Sequence, residues 1–429
     1  GGGGSGGGDF NAFETGTASG STEGPLYTKV SGVDFAVDVV SINQGGNLRN
    51  FNGDVQLELV QAGSATSCDA LTVLADFGSY AMNGERETVS GLNYGGAVDQ
   101  ARLRMTEVTN SQNPRQGCST DVFTVRPHHL SLAGQDSDWA NPGTARTLDG
   151  DNSDACQAGG GAEICHKAGN SFTLTGLARA ADGTVISQSF DAVASVGWAL
   201  HSSHDGDDSL GTHTPSTLSF PGDGSGARTD AAIYREVGLV SLTLNDQGGF
   251  ATTSNDPGND HCISGSSSNS PDGQGRYGCQ TATEAPATVG RFVPNRFLVG
   301  HSDFGFAPAC SAGSTYFGQP FGWAATPQVT ITAVEQGGKT TTNYEDGFWK
   351  LADYSDAYED DSQTDESAND GDDFSLDATN ASHAWPDTTD VNGQITVDYA
   401  GTLTYSRPGS PVAPVASGNQ RVKLRFDIE

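Results

Sequence analysis

The sequence predicts an all-β protein, and three observations support this. Short segments such as 171–177 (SFTLTGL) alternate apolar and polar residues, which is the pattern of a half-buried strand. Turn-forming residues are frequent, with 58 Gly in 429 residues, while no long segment has helical periodicity. Finally, one strand-and-turn pattern occurs three times along the chain.

The clearest copy of this pattern spans residues 164–191. Residues 172–177 alternate, Asp182-Gly183 predicts a tight turn, and Val185 opens a return strand. Alternating segments on both sides of an Asp-Gly pair are typical of a β-hairpin. The sequence therefore predicts a hairpin here.

The other two copies span residues 29–53 and 317–347. Each copy has a Gly three residues before a Phe, at Gly32/Phe35, Gly169/Phe172 and Gly318/Phe321. The spacing from this Phe to the turn Gly is 11 residues in the first two copies and 17 in the third, where WAATPQ resembles an insertion. We expect Phe35, Phe172 and Phe321 to be structural core anchors, each in its own module.

The distance between copies sets the predicted domain organisation. The three Phe residues are 137 and 149 positions apart, a spacing typical of domains rather than of solenoid repeats. We therefore predict three tandem β-sandwich modules of immunoglobulin-like type, with long polar loops and almost no helix. Their ranges are a Gly-rich flexible tether at 1–8, module one at 9–125, module two at 126–289 and module three at 290–429.

The chain is strongly acidic, with 53 Asp and Glu against 21 Lys and Arg and a net charge of −32. Such a surface repels nucleic acid and anionic membranes, so neither is an expected partner. Either adaptation to a saline environment or cation binding would explain the negative charge. Because the carboxylates are spread along the whole chain, we favour adaptation to a saline environment. No apolar run of about 18 residues is present, which excludes a direct membrane span by a helix.

Seven cysteines occur, and none lies in a CxxC motif. Their positions predict local disulfides, with Cys310 unpaired or bonded elsewhere. Disulfides of this kind indicate an oxidising, extracellular location. The predicted pairs are Cys68–Cys118, Cys156–Cys165 and Cys262–Cys279.

The sequence contains no recognisable catalytic motif, such as the GxSxG nucleophile elbow, and predicts a non-enzyme. Two loops offer metal ligands, and Ca²⁺ is the candidate cofactor. The acidic run at 353–373 is expected to be a solvated loop that offers further oxygen ligands. The candidate metal ligands are His201, His204 and Asp205 in one loop and Asp149, Asp151 and Asp154 in the other.

Several motifs together resemble a known family. FNAFET, CSTDVFTVRP, HKAGNSFTLT, YREVG, VGRFVPNRF and YFGQPF occur in this order. In this they are similar to the large domain of unknown function of MshQ-like proteins, which are associated with MSHA-type (type IVa) pilus gene clusters of Gram-negative bacteria. The resemblance spans about residues 10–428. It implies a cell-surface location and pilus or other surface components as partners, and it brings no catalytic residues.

These observations predict a non-enzymatic extracellular protein, either an adhesin or a stalk that displays something at the cell surface. The alternative is a structural subunit that self-associates into an extracellular filament through exposed β-edges. The tether at residues 1–8 leads us to expect a domain upstream. The oligomeric state of the isolated chain separates the two hypotheses.

Overall fold

The computed structural model describes residues 9–62, 67–110, 112–137, 145–148, 165–186, 188–251, 261–311, 315–316, 318–352, 355–360, 375–406 and 422–427. The predicted all-β class is confirmed, because these residues form β-strands and two single turns of 3₁₀ helix. Among them there is no helix with the length and hydropathy of a membrane span. The strands fall into three groups along the chain, here called the first, second and third units.

The first unit is a sandwich of two sheets around one core. Its elements are β1 (Phe10–Glu14), β2 (Lys29–Val30), β3 (Phe35–Ser41), β4 (Phe51–Gln61), the 3₁₀ turn η1 (Cys68–Ala70), β5 (Val73–Gly84), β6 (Arg86–Leu92), β7 (Val98–Glu107), β8 (Gln116–Cys118) and β9 (Phe123–Arg126). The sheet orders are β1-β3-β6 and β2-β9-β7-β4-β5, with β8 beside β7. Val37 from the small sheet and Leu57 from the large one belong to the same buried cluster.

The second unit has the same two-sheet construction. Its strands are β10 (His129–Ser137), β11 (Ala145–Thr147), β12 (His166–Lys167), β13 (Ser171–Arg179), β14 (Gln188–Leu200), β15 (His213–Thr214), β16 (Thr217–Asp223), β17 (Ala227–Tyr234), β18 (Gly238–Asn245) and β19 (Ala287–Val293). The sheets run β11-β10-β13-β17-β15 and β12-β19-β18-β14-β16. Leu174 of β13 and Leu242 of β18 meet in the core between them.

The third unit is built on a six-stranded sheet with the order β20-β23-β26-β22-β21 and β25 beside β26, while β24 and β27 form a separate pair. Its elements are β20 (Arg296–His301), β21 (Gly305–Ala307), β22 (Pro320–Ala325), β23 (Gln328–Val334), the 3₁₀ turn η2 (Asp346–Phe348), β24 (Ser355–Asp360), β25 (Ser375–Ala384), β26 (Gln394–Ser406) and β27 (Val422–Asp427). Ile331 and Val397 from the large sheet pack with Phe348 and Trp349, and with Val237 of the second unit.

The predicted hairpin at residues 164–191 is wrong in its pairing. Strand β13 pairs with β10 and β17, whereas β14 pairs with β16 and β18 in the opposite sheet. Only one bridge, Arg179–Val185, closes the turn between them. Alternation identifies the face of a strand that packs on the core, and both strands do place one face on a shared core. It does not identify the neighbour with which each strand forms hydrogen bonds.

The turn after this strand nevertheless repeats in all three units. Each turn is closed by a hydrogen bond from the N–H of a Gly to the carbonyl three residues earlier, and each Gly has a positive φ, which favours glycine over other residues. The bonds are Gly46 to Asn43 (2.9 Å), Gly183 to Ala180 (3.0 Å) and Gly338 to Glu335 (2.9 Å), with φ of 78°, 83° and 91° for the three Gly residues.

The third copy departs from the sequence alignment. Counting 11 residues back from Gly338 reaches Pro327 at the start of β23, whereas Phe321 lies on the separate strand β22, which pairs with β26. The inserted segment thus contributes an additional strand. Phe35, Phe172 and Phe321 are 9%, 2% and 5% exposed. Phe321 packs against Phe306 and Tyr405, outside the cluster that contains Ile331.

Two further predictions, both on the third unit, differ from the structure. The expected start at residue 290 lies inside β19, which pairs with β18 of the second unit, so the chain passes to the third unit at Pro294. The acidic run at 353–373 is not a loop throughout, because residues 355–360 form β24 and pair with β27. Residues 361–374 lie outside the described part of the chain.

Two of the predicted disulfides are formed, Cys68–Cys118 and Cys262–Cys279. Cys165 is also disulfide-bonded, and the partner expected for it, position 156, lies outside the described residues. Cys310 is a free thiol and is partly buried.

Replacing Phe172 by Ala should strongly destabilise the second unit. The ring is buried between the two sheets and contacts Phe292, so its removal leaves a cavity and should cost about 3–5 kcal/mol of unfolding free energy. Chemical denaturation provides the measurement, with Tyr316→Ala as the control because Tyr316 is 69% exposed. Equal losses in the two variants would contradict this packing.

Candidate functional site at the unit junctions

A second turn, located just before the strand, also repeats in all three units. In each unit a Gly with positive φ donates its N–H to the carbonyl of a Tyr. The bonds are Gly32 to Tyr94 (2.9 Å), Gly169 to Tyr234 (2.8 Å) and Gly318 to Tyr405 (2.8 Å), with φ of 77°, 83° and 74° for the three Gly residues. In the first two units this turn and the one described above lie at opposite ends of a single strand, β3 or β13.

The two kinds of turn meet where one unit follows another. The N–H of Ala181 in the second unit donates to the carbonyl of Ser31 in the first, at 3.0 Å. The N–H of Gln336 in the third unit donates to the carbonyl of Ala168 in the second, also at 3.0 Å. Ala181 and Gln336 hold the same position in their turns, one residue after Ala180 and Glu335. Both junctions therefore use the same main-chain hydrogen bond. In each, the turn after the strand of one unit contacts the turn before the strand of the preceding unit.

Glycine is required on the receiving side of each junction. A Cβ on Gly32 would lie 2.9 Å from the nitrogen of Ala181. A Cβ on Gly169 would lie 2.4 Å from Oε2 of Glu335 and 2.8 Å from the nitrogen of Gln336. These contacts are too short for a side chain, so the two backbones approach closely only because neither Gly has one. At Gly318 a Cβ would meet nothing within 4 Å.

The first junction contains a buried guanidinium. Arg126 is 0% exposed and donates to the carbonyls of Gly278 (2.7 Å), Ser268 (2.9 Å) and Pro127 (2.8 Å). Burial lowers the pKa of Arg126 to about 10, against the attraction of Asp246, so the group remains charged at neutral pH. Gly278 and Ser268 lie in the loop that Cys262–Cys279 closes. This loop therefore rests on the first unit.

The second junction contains a buried carboxylate. Glu236 accepts hydrogen bonds from the main-chain N–H groups of Val237 (2.9 Å), Thr342 (3.0 Å) and Asn343 (3.2 Å), the last two in the third unit. Burial raises the pKa of Glu236 to about 7, and these N–H groups oppose the rise. Beside it, Arg235 Nη1 lies 2.6 Å from Oε2 of Glu335.

The predicted metal ligands His201, His204 and Asp205 lie next to the second junction. His204 has both ring nitrogens engaged, Nδ1 with Oδ2 of Asp208 (2.7 Å) and Nε2 with the carbonyl of Leu239 (2.9 Å). Its ring lies 4.6 Å from that of Phe348 in the third unit, which gives it a packing role. His201 Nδ1 contacts Ser203.

The structure says less about the remaining candidate metal ligands. The Asp205 carboxylate is exposed and contacts those of Asp207 and Asp346, and its hydrogen bond with Asp207, together with its negative charge, raises the pKa of Asp207. Asp149, Asp151 and Asp154 lie outside the described residues. Binding of Ca²⁺ at either loop stays a prediction.

A convergent set of ligand atoms lies elsewhere, in residues that sequence reasoning did not select. His128 Nδ1 and His129 Nδ1 are 3.1 Å apart, and Oε1 of Glu284 lies 3.2 Å from the first and 3.7 Å from the second. Among the described residues, these three ligand atoms lie close enough together to contact one metal ion. The pair of adjacent histidines after Val-Arg-Pro was the only indication in the sequence, because Glu284 is remote along the chain.

One open cavity of about 510 Å³ in the second unit contains a histidine and a carboxylate. His166 Nδ1 lies 2.8 Å from Oδ2 of Asp136, and its Nε2 lies 3.2 Å from the carbonyl of Asn170. Arg146 holds the same Asp136 carboxylate through two nitrogens. Both nitrogens of this histidine are thus engaged, which leaves it no free position for proton transfer.

Replacing Gly169 by Ala should destabilise the protein more than replacing Gly183 by Ala does. Gly169 and Gly183 both have φ of 83°, but a Cβ on Gly183 would meet nothing within 4 Å. Both variants carry the backbone strain of a positive φ, about 1–2 kcal/mol. Only Gly169→Ala adds the clash with Glu335 and Gln336, about 1–3 kcal/mol more.

Differential scanning calorimetry of the two variants separates the cost of the clash at the junction from the cost of the backbone strain. If Gly169→Ala and Gly183→Ala lower the unfolding temperature equally, then the close approach of the two backbones contributes nothing to stability.

The stability of the chain should depend on the ionisation of Glu236. Its folded-state pKa, about 7, exceeds the ordinary value of 4.5, so its stabilising contribution is complete below pH 4.5 and is lost as pH rises through 7. The loss should be about 3 kcal/mol. Glu236→Gln, which cannot ionise, should lose this part of the pH dependence.

Denaturant unfolding at pH 5, 6, 7 and 8 tests this, with the exposed Glu85→Gln as the control. The unfolding free energy of wild type should fall relative to that of Glu236→Gln as pH rises. A constant difference across the series would show that Glu236 does not titrate in this range.

Comparisons with known proteins match the chain in part. A family profile described as "DUF6701, third domain" matches residues 236–428, a little under half of the chain. No curated protein matches the sequence. Among solved structures, the Escherichia coli adhesin FdeC has 14% identity and a TM-score of 0.27, over 98% of this chain and 93% of that one. Salmonella alpha-2-macroglobulin has 13% identity and a TM-score of 0.18, over 97% of this chain and 23% of that one. The matched family segment begins at Glu236, within the second junction.

Proposed function

We propose that this chain is a non-enzymatic, adhesin-like extracellular arm that holds an attached domain or its own end loops away from a bacterial surface. The observation that carries the proposal is the repeated junction, in which Ala181 and Gln336 donate to Ser31 and Ala168 with the same geometry. A repeated end-to-end contact builds an arm whose length grows with the number of units.

The junctions are suited to an arm that transmits force without folding back. The chain crosses each junction at a proline, Pro127 between β9 and β10 and Pro294 between β19 and β20, which fixes φ at the crossing. Arg126 donates to two carbonyls of the second unit and Glu236 accepts from two N–H groups of the third, so bending at either junction would break these hydrogen bonds. Bending at either junction is therefore opposed.

Location outside the cytoplasm is supported by the disulfides Cys68–Cys118 and Cys262–Cys279, which persist in oxidising compartments. The resemblance to MshQ-like proteins extends the proposal to type IV pili of the MSHA class on a Gram-negative cell, and the high acidity extends it to a saline habitat. Pilus or other cell-surface components are the proposed partners.

The absence of catalysis is proposed on chemical grounds. Two of the buried histidine–carboxylate pairs among the described residues, His166 with Asp136 and His204 with Asp208, use both ring nitrogens for structure. A general base needs a nitrogen free to accept a proton from a substrate.

A filament subunit is the second candidate function, and the third unit provides the observation that favours it. Gly32 and Gly169 receive the turn of the next unit, whereas a Cβ on the equivalent Gly318 would meet none of the described residues within 4 Å. The equivalent turn of the first unit, at Gln44, is likewise exposed. A second copy could add here end to end, which would generate an open chain of molecules.

Small-angle X-ray scattering combined with sedimentation tests both functions. An arm predicts a monomer whose longest dimension fits three units in a row, and Gly32→Ala should broaden its distance distribution, whereas the φ-matched Gly46→Ala should not. A compact particle would contradict the arm, and assembly that grows with concentration would favour the filament.

The proposed role in surface attachment is tested in the source bacterium. Deleting the gene should reduce attachment to surfaces, while the purified chain stays inert on esters, peptides and glycans. Turnover of any of these substrates that is abolished by one His or carboxylate substitution would overturn the proposal.

A further inference from the structure

We propose that His128, His129 and Glu284 bind one divalent transition-metal ion such as Zn²⁺, next to the junction between the first and second units. The site does not depend on the proposed function, and it differs from the loops in which Ca²⁺ was predicted. Its ligands are two imidazoles and a carboxylate, the donor set that zinc and related ions prefer over calcium.

The distances between the three ligand atoms fit a metal ion. The sides of the triangle formed by the two Nδ1 atoms and Oε1 are 3.1, 3.2 and 3.7 Å. The point equidistant from the corners of such a triangle lies about 2.0 Å from each of them, and Zn–N and Zn–O bonds are about 2.0–2.2 Å long. The separations of the three atoms therefore match those of ligands around one ion, although binding must displace the contact of Asn269 Nδ2 with His128 Nδ1 (3.4 Å).

The fold brings these residues together through the main chain. Leu130, directly after the two histidines, donates its N–H to the carbonyl of Ala282 at 3.0 Å and forms a parallel bridge with Thr283. Glu284 is the next residue along that segment. The ligands are therefore positioned by backbone contacts on both sides, which fixes their separation independently of any ion.

The surroundings provide support and access. The loop closed by Cys262–Cys279 contributes Asn269, whose Nδ2 donates to the carbonyl of His128 at 3.0 Å. The Oδ1 atom of Asn269 is buried and has no hydrogen-bond partner among the described residues. The side chains of His128 and Glu284 are 17% and 56% exposed. An ion can therefore enter from solvent on the Glu284 side, and water can complete its coordination.

A plain hydrogen-bonded cluster is the competing interpretation. One Nδ1–H would donate to the other ring nitrogen, and Glu284 would accept from whichever ring carries the proton. That arrangement needs no metal, and it predicts that added Zn²⁺ leaves the stability of the chain unchanged. Binding measurements on matched variants separate the two interpretations.

The test uses the full chain, treated with EDTA and dialysed, and titrated with Zn²⁺ by calorimetry in buffer containing excess Ca²⁺. Calcium occupies the weak carboxylate sites of the acidic surface. Wild type should bind one Zn²⁺ per chain, and Glu284→Gln and His129→Gln should each weaken binding about tenfold or more. His301→Gln, in an exposed part of the third unit, should bind as wild type does.

Thermal unfolding of the same proteins provides a second readout that does not rely on heats of binding. Zn²⁺ should raise the unfolding temperature of wild type and of His301→Gln, because an ion bound to the folded state stabilises it by mass action. It should not raise that of Glu284→Gln, which must unfold at the wild-type temperature in EDTA to count as folded. Equal Zn²⁺ affinity in all variants, or no stabilisation of wild type, would overturn the site.

Discussion

The arrangement of the whole chain depends on one constraint, the close approach of a turn N–H to a carbonyl that precedes a glycine. Gly32 and Gly169 lack the Cβ that would push the next unit away, and their positive φ aims the preceding carbonyls of Ser31 and Ala168 at it. Because the same pair of turns recurs in each unit, one hydrogen-bond geometry serves both junctions. The second unit is thus a donor at one end and an acceptor at the other, while the first unit only accepts and the third only donates.

The two junctions share this hydrogen bond but differ in the charge that they bury. The first contains the Arg126 guanidinium, held by three carbonyls, and the second contains the Glu236 carboxylate, held by three N–H groups. A buried charge is tolerated only when main-chain dipoles of the right polarity surround it. The two buried groups are not interchangeable, because one junction presents carbonyl oxygens and the other presents N–H groups.

Within the described residues, two loops of the second unit contact the neighbouring units. The loop closed by Cys262–Cys279 supplies the carbonyls that hold Arg126 and the amide that contacts His128. The loop containing His204 places its ring on Phe348 of the third unit. A metal ion at His128, His129 and Glu284 would tie the first strand of the second unit to the segment that precedes β19, next to the disulfide-closed loop.

The sequence by itself determined the features that depend on local order. Alternation predicted the all-β class, the Gly-x-x-Phe and turn patterns predicted a threefold repeat, and cysteine spacing predicted Cys68–Cys118 and Cys262–Cys279. Only the tertiary structure decided that β13 and β14 lie in opposite sheets, because periodicity identifies the buried face of a strand but not its hydrogen-bonded neighbour. The junction contacts and the meeting of His129 with Glu284 were likewise beyond the sequence, since they join residues that are remote along the chain and are set by how complete units pack.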